Sequence, residues 1–417
     1  MPAAGDESTA DELDPFEEFN KAMGAGIVTN PYPGFAAMRA EGVSQADVRQ
    51  LLGLAPDADL GFDEGDAPPL YTVSSYDAVQ EVLRDGERFS SAGYAEVMGG
   101  VMGHTILEMD EPEHHGYRSL IQQAFTRKAM ERWEAELVGP VVDELIDGFV
   151  DRGRAELVSE LFFPFPVNVI AGLLGLPRAD LASFHRWTVE LISVSIDMDK
   201  ALGASKKLED YLMPFVQERR VDPGRDLISV LAQAEHDGQR LTDAEIIAFC
   251  RLLLPAGAET TYRSSSNLFC GLLTHPDQLE RVKADRSLLT NAIEEGLRWE
   301  PPLLTIMRTV VRDTTVAGVE LRAGTVLVIN MGAANHDERR WVDADELDIS
   351  RPQTGHTAFA SGPHMCLGMH LARMETKVVL DRLLERLPDV RLDPEAEAPY
   401  ITGMTFRAPP RLDVVFS

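Results

Sequence analysis

Apolar residues recur at helical spacing through most of the chain and at strand spacing mainly in one late block. The longest helical stretch opens on Thr242-Asp-Ala-Glu245, a capping box, and closes at His275-Pro276. About 32 residues at roughly 1.5 Å each predict a helix nearly 50 Å long, enough to cross the whole protein. Pro255 lies inside it and is expected to loosen or kink it just before Ala256-Gly-Ala-Glu-Thr-Thr261. A second long pattern follows Cys366, where Leu367, Leu371, Met374, Val378, Leu383 and Leu387 mark one buried face before Pro388 stops it. Shorter helices are expected from Phe35, over Tyr76–Arg84 behind Ser75 as cap, over 129–151, and over Phe162–Pro177. Two more are expected over 180–218, joined near Met198–Ala204. Leu70–Val73, Val310–Val319 and Leu321–Ile329 read as strands, with Leu303–Arg308 extended before them. Ile401–Phe416 suggests a hairpin with Met404 and Thr405 at its tip. Segment 92–106, rich in Gly, Met and Val, reads as a loop, and 43–66 as an irregular acidic insert. Periodicity alone thus supports a helix-rich protein with some late strands.

Charge narrows the partners. Lys plus Arg number 39 against 68 Asp plus Glu, a formal charge of −29, which argues against nucleic acid because phosphate binding needs a basic surface. Three cysteines, Cys250, Cys270 and Cys366, suit a reducing cytoplasm better than a disulfide framework. Cys250 and Cys270 would sit about 30 Å apart on one helix and cannot bridge. No apolar run is long enough for a membrane span, and no secretory signal opens the chain. Residues 1–24 carry seven acids and one lysine and are expected to be disordered, with 25–417 forming a single domain.

Candidate chemistry concentrates in Phe359-Ala-Ser-Gly-Pro-His-Met-Cys-Leu-Gly368. Cys366 is placed at a helix N-terminus, where free N–H groups and the dipole favour a thiolate. Gly362 and Gly368 would leave room for a large planar group at the sulfur. A buried structural cysteine and a cysteine-hydrolase nucleophile are the rival readings. Ala256–Thr261 sets an acid beside an alcohol, which could equally be a polar interruption bending a helix through back-bonding. His114 and Arg118, spaced i, i+4, share one helix face. Glu295 and Arg298, spaced i, i+3, form an ion-pair candidate.

Phe-x-x-Gly-x-His-x-Cys-x-Gly followed by Leu-Ala-Arg resembles the haem-binding loop of the cytochrome P-450 superfamily, and the resemblance covers residues 68–417 in consistent order. It implies a mainly α triangular-prism fold with a small β-rich subdomain, haem b as cofactor, and Cys366 as axial thiolate. Phe359, Gly362 and Gly368 would shape the haem loop. His114, Arg118, Arg308 and His364 would hold the propionates, and Glu259 and Thr260 would relay protons for dioxygen activation. Glu295 and Arg298, joined by Arg351, would form a buried network beside the loop. Substrate contacts would come from Val97, Met98, Leu191, Ile192, Ala256, Leu304, Ile306 and Met404. The implied activity is a soluble bacterial monooxygenase acting on a terpenoid, steroid, fatty acid or polyketide. A peroxide-driven peroxygenase and a non-catalytic haem sensor are the alternatives, and the intact Glu259-Thr260 pair favours the first. Electrons would come from a separate ferredoxin and its NAD(P)H-dependent reductase, docking on Arg127, Lys128 and Arg132, with Arg373 able to join them. The protein is expected to be a cytoplasmic monomer without membrane attachment. One departure stands out: the family usually has glycine after the phenylalanine, and this chain has Ala360.

Overall fold

The structure, a computed structural model, describes residues 20–21, 25–46, 69–192, 197–352 and 355–417. The expectations for 1–24 and for most of the 43–66 insert fall outside these residues.

Fifteen α-helices are described. They are α1 Tyr32–Glu41, α2 Tyr76–Arg84, α3 Tyr94–Met102, α4 Glu113–Ile121, α5 Arg127–Trp133, α6 Gly139–Asp147, α7 Pro164–Leu173, α8 Leu181–Ile192, α9 Met198–Val221, α10 Leu227–Gln233, α11 Asp243–Thr274, α12 Pro276–Ala284, α13 Leu289–Trp299, α14 Met331–Asn335 and α15 Met369–Arg386. The axis is α11. Its capping box is complete: the Glu245 N–H donates to Thr242 Oγ1 at 3.2 Å and the Thr242 N–H to Glu245 Oε2 at 2.6 Å. Pro255 sits inside the helix without ending it. One half of α11 packs with α7, α9 and α10 in one core; the other packs Leu268, Phe269 and Leu272 against Val379, Leu380 and Leu383 of α15. The polar run after Thr260 survives in that core because its hydroxyls bond back to their own helix. Ser264 and Ser265 donate to the Thr261 carbonyl and Ser266 to that of Arg263.

Among the described residues, three small sheets flank the helices. The largest, ordered β1-β2-β8-β5-β3, uses Val43–Gln45, Leu70–Val73, Val326–Asn330, Thr305–Val310 and Phe89–Ser90. Only β2 and β8 run parallel in it. A second sheet joins β4 Arg154–Glu156, β10 Asp413–Val415 and β9 Arg391–Leu392. β6 Thr314–Val316 and β7 Val319–Leu321 form a hairpin over Ala317-Gly318, whose φ values of 47° and 82° suit a tight two-residue turn.

Several expectations need correction. Segment 92–106 is not a loop: α3 forms within it because Val101 and Met102 bury one end in the core. The turn between the predicted strands lies at 317–318, so Val310–Val319 is broken into two strands rather than one. The α8–α9 junction comes earlier than Met198, since Asp197 caps α9 by accepting from the Lys200 N–H at 2.9 Å. Ser75 occupies the α2 cap position but makes no capping bond; Asp337, distant in sequence, accepts from the Tyr76 N–H at 2.9 Å instead. Over 401–416 the pairing is a bridge between Thr402 and Ala408, a second from Phe406 to Leu303, and the short β10.

Candidate functional site

The loop before α15 is fixed by its backbone. The Cys366 N–H donates to the Phe359 carbonyl at 2.9 Å, Met365 N–H to Gly362 at 3.1 Å, and Ala360 N–H to Thr357 at 2.8 Å. Helix α15 starts at Met369 with Gly368 as its N-cap. Cys366 therefore lies two residues ahead of the N-cap, just outside the first turn. The Gly368 N–H reaches back to its sulfur and, with Arg118 and Arg373, favours the thiolate, but burial outweighs them and raises the thiol pKa. The residue keeps exposed surface, while the protein around the thiol desolvates it.

The glycines divide. At Gly368 an added Cβ would meet nothing within 4 Å, so that side of the loop has room. Gly362 is needed for another reason: its φ is +72°, and a Cβ would lie 2.4 Å from the Leu83 carbonyl at the end of α2. Ala360 adopts φ +56°, a left-handed conformation that costs a non-glycine residue about 1–2 kcal/mol. Ala360→Gly is therefore expected to stabilise the protein by about 1 kcal/mol in equilibrium denaturation, after the entropy that glycine adds to the unfolded chain. An unchanged or lower midpoint would show that the turn is not strained at this residue.

Four basic side chains gather beside this loop. Arg118 Nη2 donates to the Met365 carbonyl at 2.7 Å. Arg308, on β5 and 5% exposed, donates only to its neighbour's carbonyl, Met307, among the described residues. The rings of His114 and His364 lie 4.2 Å apart. Burial first, then the charges of Arg308, His114 and Arg118, push the His364 imidazole down to about 3. Glu111 bonds His114 Nδ1 at 3.1 Å, but buried His114 Nε2 has no partner among the described residues, and no described carboxylate pairs with Arg118 or Arg308. Two arginines without a described carboxylate partner, beside a buried imidazole nitrogen with none, call for anionic groups from a ligand. A haem, with two carboxylates on one edge and an iron that takes thiolate, fits that demand.

On α11, Ala256 is exposed and Thr260 partly so; Thr260 Oγ1 donates to the Ala256 carbonyl at 2.6 Å. Glu259 is buried and ion-paired to Arg263 at 2.9 Å, while burial raises its pKa. Helix α15 meets α11 next to this turn, where Thr261 Oγ1 donates to Glu375 Oε2 at 3.2 Å.

Among the expected substrate contacts, Val97, Met98, Ile192, Ile306 and Met404 keep exposed surface. Leu191 and Leu304 do not. Leu191 is wholly buried in the core around α9, and Leu304 is wholly buried in a small cluster with Tyr32, Phe35 and Ala333. Phe359 packs on the core and carries the Arg373 guanidinium 4.5 Å above its ring.

The structural network is complete. Glu295 accepts two bonds from Arg298 at 2.8 and 2.9 Å, one from Arg351 at 3.1 Å and one from the Asp348 N–H at 3.0 Å. Two residues escaped the sequence reading although a signal existed. Glu375 is an acid in the otherwise apolar i, i+4 row Leu371, Val379, Leu383, all buried. Arg263 follows Glu259 at i+4.

Comparison with known proteins agrees with this geometry. Residues 189–413 match the family model described as Cytochrome P450. The chain is 35% identical over 385 residues to the cytochrome P450 monooxygenase PikC of Streptomyces venezuelae, covering 89% of this chain and 87% of that protein. It is 36% identical over 356 residues to a steroid C26-monooxygenase of Mycolicibacterium smegmatis, covering 84% and 88%. The crystal structure of CYP109E1 from Bacillus megaterium in complex with testosterone superposes with a TM-score of 0.82 at 33% identity, covering 93% of this chain and 99% of that one. The predominantly helical fold, the sheltered cysteine and these likenesses along most of the chain converge: it belongs to the cytochrome P450 family of haem-binding monooxygenases.

Proposed function

We propose that this enzyme hydroxylates or epoxidises a hydrophobic small molecule of steroid size, using dioxygen and two electrons from a separate ferredoxin. The observation that carries the reading is the gathering of Arg118 and Arg308, without described carboxylate partners, with the His114 and His364 rings around the Cys366 loop, and the acid–alcohol turn of α11 held beside α15. Haem b, when bound, supplies the dioxygen chemistry and the oxygen transfer. Cys366 would hold its iron through the thiolate. Arg118, Arg308, His114 and His364 would hold its carboxylates, with Phe359, Gly362 and Gly368 shaping the loop. Ala256 keeps its helix face low, and Val97, Met98, Ile192, Ile306 and Met404 supply apolar surface for the substrate. Steroid size is favoured by the steroid C26-monooxygenase relative and by the testosterone complex of the structural neighbour. Titrating steroids, fatty acids, terpenoids and macrolides into the holoenzyme tests this. Steroids are expected to give the largest shift of the Soret band, and a response to another class alone would overturn the substrate reading.

Protons would pass through Glu259 and the Thr260 hydroxyl. In this structure that hydroxyl donates to the Ala256 carbonyl, so it must turn to serve a reacting group. Thr260→Ala is expected to keep NAD(P)H oxidation but lower product formation by about 10²-fold, the low end for a positioned proton-transfer group, with the electrons lost as peroxide. Parental coupling in that variant would sink the role of Thr260.

Electrons would enter past the basic residues of α5, Arg127, Lys128 and Arg132. Arg373 is ion-paired to Glu294 at 2.5 and 2.8 Å. Arg127 is 92% exposed and pairs with Glu131, and Arg132 bonds the Arg225 carbonyl. Reversing Arg127, Lys128 and Arg132 to Glu should slow reduction by ferredoxin, less so at high salt, and leave peroxide-driven turnover unchanged. Equal rates at low salt would place the docking surface elsewhere.

A further inference from the structure

Glu259 is not free on its helix. Its Oε2 accepts from both Nε and Nη2 of Arg263, one turn on, at 3.1 and 2.9 Å. Both side chains are almost completely withdrawn from solvent, at 4% and 3% exposure. A carboxylate gripped in this way cannot pick up a proton without loosening its partner, and the ease of loosening depends on how firmly the guanidinium is held by everything else.

Arg263 is held from outside its own helix. Its Nη2 also donates to Asn20 Oδ1 at 2.8 Å. Its guanidinium lies 4.8 Å from the ring of Tyr262 and 5.3 Å from that of Phe406. Asn20 bonds the Tyr262 side chain as well, and its carbonyl accepts from the Ala25 N–H at 2.9 Å. The following residues run along the 401–407 turn. Gly26 N–H donates to Thr402 Oγ1 at 2.9 Å, Gly403 N–H to the Val28 carbonyl at 2.9 Å, and Arg407 to the Thr29 carbonyl at 3.0 Å. The N-terminal segment is thus stitched to the turn that carries Met404, and through Asn20 it reaches the cation that grips Glu259. Among the described residues, the groups around the carboxylate include Arg263 and the Tyr262 phenol on its own helix. The N-terminal segment brings the neutral Asn20 amide, and the 401–407 turn brings the Phe406 ring to Arg263.

We propose that Asn20 and Arg263 are positioning residues for Glu259: by pinning the guanidinium, the N-terminal segment sets how readily the carboxylate leaves it to take up a proton and pass it toward Thr260. The inference rests on the reading that Glu259 relays protons. The proton arrives at a Glu259 carboxylate oxygen from water and leaves through the Thr260 hydroxyl; nothing on these residues is oxidised or reduced. A planar guanidinium fixed in advance loses little freedom when it grips, so its hold is strong; released from Asn20 it grips less well. The neutral form of Glu259 then becomes easier to reach.

The test uses the resting holoenzyme and needs no turnover for its first readout. The infrared carboxyl stretch of Glu259, identified by its loss in Glu259→Gln, is followed against pH in the parent, Asn20→Ala and Asn20→Asp. Asn20→Ala is expected to move the titration midpoint up by about half to one pH unit, a fraction of what a full opposite charge supplies. Asn20→Asp is expected to move it further, because the new carboxylate competes for Arg263. The pH profile of coupling, product formed per NAD(P)H consumed, should shift in the same order, and neither Asn20 variant should alter coupling in the Glu259→Gln background. A parental midpoint in both Asn20 variants overturns the inference, whatever Glu259→Gln does. Parental coupling in Glu259→Gln overturns the relay reading itself, and this inference with it. A merely structural role for Asn20 predicts lower stability without the graded shift.

Discussion

Cys366→Ser is expected to abolish the red-shifted Soret band of the ferrous–CO complex and, with it, oxygenation of any substrate. The change replaces one atom. The loop should persist, because it is held by backbone bonds from Cys366 to Phe359, Met365 to Gly362 and Ala360 to Thr357, none of which uses the sulfur. Its cradle is also intact, since the left-handed Gly362 lies against the Leu83 carbonyl regardless of residue 366. What serine lacks is the thiolate, whose electron donation to iron favours O–O cleavage. Burial raises the thiol pKa, and the Gly368 N–H and the Arg118 and Arg373 guanidiniums act against it, which would favour the thiolate. A band that persisted unchanged in Cys366→Ser would exclude Cys366 as the ligand. Arg308→Leu serves as the contrasting variant in the same measurement. It should keep the band and release haem about 10–100-fold faster, since a charge-assisted hydrogen bond contributes about 1.5–3 kcal/mol. Loss of the band without faster release would mean that Arg308 acts on the ligand side instead.

The parts legible in the sequence are those in which local chemistry dictates structure. Thr242-Asp-Ala-Glu245 specifies a helix start by reciprocal bonds within four residues, and α11 begins there. His275-Pro276 specifies its end. The cysteine loop, the acid–alcohol pair and the Glu295–Arg298 pair are visible because residue type and spacing together carry the chemistry. Long-range contacts were not legible. Ser75 has the composition of a cap, but Asp337 performs the capping from another part of the chain. Segment 92–106 has two adjacent glycines and reads as a loop; its helix depends on tertiary burial of Val101 and Met102. Arg373 looks like a free surface charge until Glu294 is seen against it, with burial opposing and Arg373 and His356 holding that carboxyl down to about 2. The tie from Asn20 to Arg263 spans most of the chain, and no local pattern announces it.

Glu375→Gln should remove a large dependence of stability on pH. The Glu375 carboxyl is 3% exposed on α15, and its recorded hydrogen bond is the one accepted from Thr261 Oγ1 at 3.2 Å. Burial raises its pKa from 4.5 to about 8, with the Thr261 bond opposing. The folded protein therefore holds a proton on Glu375 across the neutral range, while the unfolded chain releases it above about 4.5. The folded state then binds more protons than the unfolded state, so stability falls as pH rises. This contribution is fully present below pH 4.5 and is lost progressively up to pH 8. Its size is on the order of 5 kcal/mol over that window, from about 1.4 kcal/mol per pH unit. Glutamine has the same shape and can still accept from Thr261, but it does not titrate. Its buried amide hydrogens add a penalty of about 1–3 kcal/mol, and that penalty does not vary with pH. The measurement is therefore the difference in unfolding free energy between parent and variant at several pH values, not either value alone. The variant is expected to gain steadily on the parent from pH 4.5 to 8. A difference that stays flat across this range would mean that Glu375 is ionised in the folded protein, stabilised by groups beyond Thr261.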